Sequence, residues 1–144
     1  MTHEDRGHYA AKHGLGVKAN PKIADAVKEK MSKGKITCAA MHGIAGDTGE
    51  SPSEVGKNAD LLEVRLTKCQ LGLFGYEPQK KIVEPAADPD PDILHAIQES
   101  MTDKRISCSA CWGISEKLNC KKMDVSAVCE KLGIKISPCQ LGAF

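Results

Sequence analysis

The residues best suited to chemistry in this chain are its seven cysteines, and two of their positions occur twice. Cys38 and Cys108 each follow a hydroxyl residue, Thr37 or Ser107, and open a run of helical character, while Cys69 and Cys139 each open a CQLG stretch. A thiol in the first turn of a helix feels the positive end of the helix dipole, which favours the thiolate, the form that reacts and binds metals. In the second half Cys108 and Cys111 make a CxxC on one helical face, with Cys120, Cys129 and Cys139 downstream. Cys108, Cys111, Cys120 and Cys139 are thus a candidate four-thiolate site for zinc or iron. The spacing is not that of a zinc ribbon, however, and Cys111 and Cys129 fall where the first half carries Met41 and Ala59 at expected core positions. Small apolar thiols filling tight core sites are the simpler expectation, with no resident cofactor.

Other chemistry is thinner. His3, His8 and His13 recur every five residues, a spacing that puts them on different sides of a helix and matches no ligand pattern. Gly72 and Gly142 in the CQLG stretches precede no helix signal, so they suggest turns rather than a phosphate loop. With no carboxylate pair, no Ser-His-Asp context and no nucleotide fingerprint, an enzyme is not expected.

Composition narrows the class. The chain is 41% hydrophobic and 27% charged, as globular proteins are, but only 3% aromatic, so aliphatic side chains must build the core. A net charge of +1 with dispersed basic residues lacks the field of a non-specific nucleic-acid coat. No apolar stretch of about 18 residues is present to span a bilayer. The start MTHEDRGHYAAKHGLG has no signal-peptide core. The expectation is a cytoplasmic protein with no membrane partner and with reduced thiols.

These residues must be positioned by something that occurs twice. At an offset of 70 residues Pro21 to Phe74 aligns with Pro91 to Phe144 without a gap, and about a third of the positions are identical. The matches include Ile23/Ile93, Met31/Met101, Ile36/Ile106, Ile44/Ile114, Val55/Val125 and CQLG, whereas polar positions drift. Copies that keep their apolar positions at helical spacing bury the same faces. The expected organisation is an N-terminal arm over 1–19, a first repeat over 20–76, a Pro-rich connector over 77–89 and a second repeat over 90–144.

Within each repeat Asn20 or Asp90 caps a first helix with Pro21 or Pro91 at its first position, and Ile23, Val27 and Met31 or their counterparts form its apolar stripe. A short extended segment leads to Thr37 or Ser107 as the next cap, and Gly49 or Asn119 ends the second helix. Ser51-Pro52-Ser53-Glu54 then starts a third helix after a turn of about three residues. Val55, Ala59 and Leu62, and likewise Val125, Cys129 and Leu132, are its expected buried positions. An alternating strand follows, with Val64 and Leu66 inward and Arg65 outward, as the start of a small wing. The fold class is mainly α with short strands.

This order, and the run IAGDTGESPSEVGKNADLLEVRL, resembles the winged helix-turn-helix superfamily, which implies two tandem winged-helix-like three-helix units. The resemblance implies that the third helices approach double-stranded DNA, with Ser53, Glu54, Lys57, Asn58 and Leu61 facing outward in the first repeat. Ser53, Lys57, Asn58, Arg65, Lys68, Lys121, Lys122 and Lys131 are the candidate contacts, with Lys135 as a further basic residue. The function so implied is a transcriptional regulator in which duplication replaces the usual dimer. The corresponding face of the second repeat, Met123, Asp124, Ala127, Val128 and Lys131, is largely apolar and fits a protein partner, so an interaction adaptor is the rival. A thiol-based redox or metal sensor, reactive at Cys38 or Cys108, is the third reading.

Overall fold

Five of the six described α-helices start where a short polar side chain takes an otherwise orphaned backbone N–H. Asn20 and Asp90 accept from Lys22 N and Asp92 N at 3.0 and 2.8 Å. Thr37 and Ser107 accept from Ala40 N and Ala110 N, and Ser51 accepts from Glu54 N. At the start of the last helix Lys121 has no such oxygen, and the Asp124 carboxylate reaches back to accept the Lys121 N–H instead. The second helices end at Gly49 and Asn119, both in the left-handed conformation.

The computed structural model describes residues 9–14 and 16–143, and the protein is mainly helical with a few short strands. A 3₁₀ turn, Tyr9–His13, precedes α1 (Pro21–Lys30), β1 (Lys35–Thr37), α2 (Cys38–Thr48), α3 (Pro52–Leu61) and β2 (Arg65–Thr67). The second series is α4 (Pro91–Ser100), β3 (Arg105–Ile106), α5 (Cys108–Leu118), α6 (Lys122–Leu132) and β4 (Lys135–Ile136). The chain forms two units, one running to Cys69 and rejoined by the segment from Gln140 onward, the other spanning Gln70–Cys139. Each CQLG tail therefore packs with the helices of the other repeat.

The core of the first unit gathers Ile23, Val27, Ile36, Met41, Ile44, Val55 and Val64, and that of the second gathers Ile93, Ile97, Ile106, Cys111, Ile114, Val125 and Cys129, all buried. Leu62 and Leu132, expected among them, are not: Leu62 is half-exposed and Leu132 exposed. Leu62 is already the cap residue of α3. The chain turns there so that Val64 N and Ile134 N bond to Ala59 and Cys129 carbonyls, and Val64 and Ile134 enter the core instead.

The strand after the third helix differs from a hairpin wing. β2 pairs parallel with β1 in the register Lys35↔Arg65, Ile36↔Leu66, Thr37↔Thr67, and β4 pairs parallel with β3 as Arg105↔Lys135 and Ile106↔Ile136. Partners in register share a face, so the Ile and Leu pairs point inward and the basic pairs outward.

The described part of the N-terminal arm and the Pro-rich connector are both docked. Tyr9 is buried, and Tyr9 N and Ala10 N donate to the Glu63 carboxylate at 2.9 Å each. His13 Nε2 lies 2.9 Å from Asp60 Oδ2. His3 and His8 lie outside the described residues. In the connector Val83 is buried, Ile82 N and Val83 N bond to Gly72 O, and Ala86 N bonds to Ala127 O.

Candidate nucleic-acid interface

On the third helices most of the residues expected outward reach solvent, but Asn58 and Val128 do not. On α3 the residues Val55, Gly56, Asn58, Ala59 and Asp60 are all buried. Val55 and Ala59 face the core, whereas Gly56 lies under the backbone of Leu141 and Asp60 lies under the Tyr9–His13 turn. A Cβ at position 56 would overlap the Leu141 carbonyl, so only glycine allows this approach. Asn58, assigned to a groove, is 1% exposed. Its Oδ1 accepts from Asn20 N at 2.6 Å and its Nδ2 donates to Glu54 O at 2.8 Å, which ties α3 to the start of α1. Asn58 is thus corrected from a contact residue to a structural one, because the first-helix cap needs its amide.

The second unit repeats the pattern by other means. Ser126, equivalent to Gly56, is fully buried and donates its hydroxyl to Leu71 O at 2.7 Å. Val128, expected outward, is buried, and Ala127 is half-buried under the connector. Residues 71 to 86 of the same unit pack beside Ser126 and Ala127, while Met123, Asp124 and Lys131 stay exposed. Trp112 is half-buried with the Lys122 ammonium 4.5 Å above its ring.

Among the sequence-assigned contacts, Ser53 is exposed and Lys57 half-exposed in an i,i+3 pair with Glu54 at 3.3 Å. Lys121 and Lys131 are exposed at opposite ends of α6, about 15 Å apart along the helix axis. Lys68 is exposed just beyond β2, and Arg65 is the one that the strand register sets beside another cation. The register sets Arg65 beside Lys35 and Arg105 beside Lys135, facing solvent. The two-residue turns that lead into β1 and β3 add Lys33 and Lys104, both exposed and both at positive φ, 52° and 59°. Lys104 holds that conformation where the first repeat has Gly34. The signal was present as SKGKIT and TDKRIS, aligned between the repeats, but it needs the strand partner to become a cluster.

Two like charges side by side on a sheet repel and cost stability unless something neutralises them. Among the described residues none of Lys35, Arg65, Arg105 and Lys135 is in an ion pair. In the second unit Arg105 also lines an open cleft of about 560 Å³ with Ser100, Thr102, Ser107, Ser137 and Asp103. Four hydroxyls and a guanidinium suit a phosphate group; Asp103 opposes it.

Among the described residues no group of three or more Cys, His, Asp or Glu side chains is placed to hold a metal ion. Cys38 and Cys108 do start their helices but are buried, which separates them from solvent reagents. Burial pushes the Cys120 thiol up, helped by Asp124 and Asp90. A different pair emerges: Cys111 and Cys129 are hydrogen-bonded inside the second unit. That bond, then burial, raises the Cys111 thiol; the same bond lowers Cys129 against its own burial.

No described helix is long and apolar enough to cross a membrane. No family model matches the chain, and neither a similar curated protein nor a similar solved structure was found.

Proposed function

We propose that this protein binds duplex DNA through its phosphates, as a small regulator built on two winged-helix-like units, using the paired strands rather than the third helices. The order helix, strand, helix, tight turn, helix, strand in both units supports the helix-turn-helix reading, with a parallel ribbon in place of a hairpin wing. The observation that carries the proposal is the twofold occurrence of an outward basic pair in register, Lys35 with Arg65 and Arg105 with Lys135. Lys33, Lys68 and Lys104 extend the pairs. The contacts are to the backbone, so they position the protein without selecting a sequence. The adaptor reading would use the part of the α6 face that stays exposed, Met123, Asp124 and Lys131.

Fluorescence anisotropy with a labelled duplex across a salt series tests this. Each engaged cation adds about 0.9 to the slope of log affinity against log salt, so four give a slope near −3.6 and one ribbon about half of that. Replacing Lys35 and Arg65 by Glu removes at least half of the slope, and Lys57→Ala leaves it unchanged. Absence of binding at low salt, or an unaltered slope in the ribbon variant, overturns the proposal.

A further inference from the structure

We propose that Cys111 and Cys129 are a thiol–disulfide modification site, a dithiol held together inside the second unit that closes to a disulfide when the protein meets a low-molecular-weight disulfide. This inference is independent of DNA binding.

The two cysteines sit on adjacent, packed helices, Cys111 one turn into α5 and Cys129 in the third turn of α6. Both are buried and their sulfurs are within hydrogen-bonding reach of each other. The fold does not require a thiol at either place, since the equivalent residues of the first repeat are Met41 and Ala59, also buried. A longer and a shorter apolar side chain fill that space in one unit, and two thiols fill it in the other. What distinguishes the second unit is therefore the chemistry rather than the packing. The bond between the two thiols holds Cys129 below the ordinary thiol range against its own burial, which favours Cys129 as the attacking sulfur.

The step balances with a disulfide such as oxidised glutathione as oxidant. During a local opening of the unit, Cys129 attacks one sulfur of the reagent, forming a mixed disulfide and expelling one glutathione thiolate. Cys111, on losing its proton, attacks the Cys129 sulfur, forming the Cys111–Cys129 bond and expelling the second. Two protein thiols are oxidised, one external disulfide is reduced to two thiols, and the two protons pass to the leaving thiolates. Proximity favours the second attack over further reaction with reagent.

The native full chain is incubated with oxidised glutathione, quenched in acid, alkylated, digested with trypsin and read by mass spectrometry. The expected product has lost two hydrogens and joins the peptide holding Cys111 to the peptide holding Cys129. The link persists in Cys108→Ala, which removes the CxxC alternative, and it disappears in Cys111→Met/Cys129→Ala. That double variant copies the first repeat and keeps the helical circular dichroism of the parent. A Cys108–Cys111 loop, a link that Cys108→Ala abolishes, or glutathione adducts confined to Cys120 and Cys139 while unfolded protein is fully oxidised, overturns the assignment.

Discussion

Gly56→Ala pits two effects of opposite sign against each other, and the fold decides which wins. In an exposed helix interior the substitution gains about 1 kcal/mol from propensity. Position 56 is not exposed: the new methyl overlaps the Leu141 carbonyl, which is backbone and cannot rotate away. The segment from Gln140 must lift off α3, and with it go the burial of Leu141 and Ala143, each nearly inaccessible to solvent. Burying a leucine is worth about 1.5–3 kcal/mol and a methyl about 0.8 kcal/mol, so some 3 kcal/mol is lost against 1 gained. The net expectation is a destabilisation of about 2 kcal/mol. Urea unfolding followed by far-ultraviolet circular dichroism reads it, a fall of roughly 1 M in midpoint for a slope of about 2 kcal/mol/M. Trp112, in the second unit, gives a separate fluorescence signal for comparison. In a chain ended at Cys139 the clash partner is gone, and the same substitution should stabilise by about 1 kcal/mol, a reversal that a double-mutant cycle isolates. Gly56→Ala that stabilises the full chain as well would refute the packing of the tail on α3.

Three further outcomes follow from the same contacts. Ser126→Ala leaves the buried Leu71 carbonyl without its hydroxyl donor and should cost about 1–3 kcal/mol, measured by urea unfolding through Trp112 fluorescence. Asn58→Ala removes the acceptor of Asn20 N and should cost about 2 kcal/mol while DNA affinity of the folded protein stays unchanged. A loss of affinity without a loss of stability would restore Asn58 as a contact. Lys104→Gly relieves a left-handed lysine and should raise stability by about 1 kcal/mol in the same unfolding assay, yet lower the salt slope of DNA binding by about one.

Local signals were legible. The caps at Asn20, Thr37, Ser51, Asp90 and Ser107 and the stops at Gly49 and Asn119 fell where short-range chemistry puts them. The buried faces of α1 and α4 followed from periodicity. What could not be seen was partnership over long range. A strand after a helix looks the same whether it turns back as a hairpin or pairs parallel with a strand some thirty residues earlier, so the Lys35 and Arg65 pair stayed hidden. The sides of α3 at Gly56 and Asp60 are packed by Leu141 and His13, which nothing local announces. The packing of Leu71 and Ala86 against Ser126 and Ala127 of α6 was hidden for the same reason. CQLG was the most faithful stretch of the repeat, and its tight fit on a third helix gives a physical reason for that.

Amide chemical-shift mapping of the labelled protein with a short duplex at low salt tests the central claim most directly. The account predicts shifts over residues 32–37 and 65–68 of the first unit and 102–107 and 135–137 of the second, fading as salt rises. Shifts concentrated on Ser53, Lys57 and Leu61 of α3, with the ribbons unmoved, would contradict it.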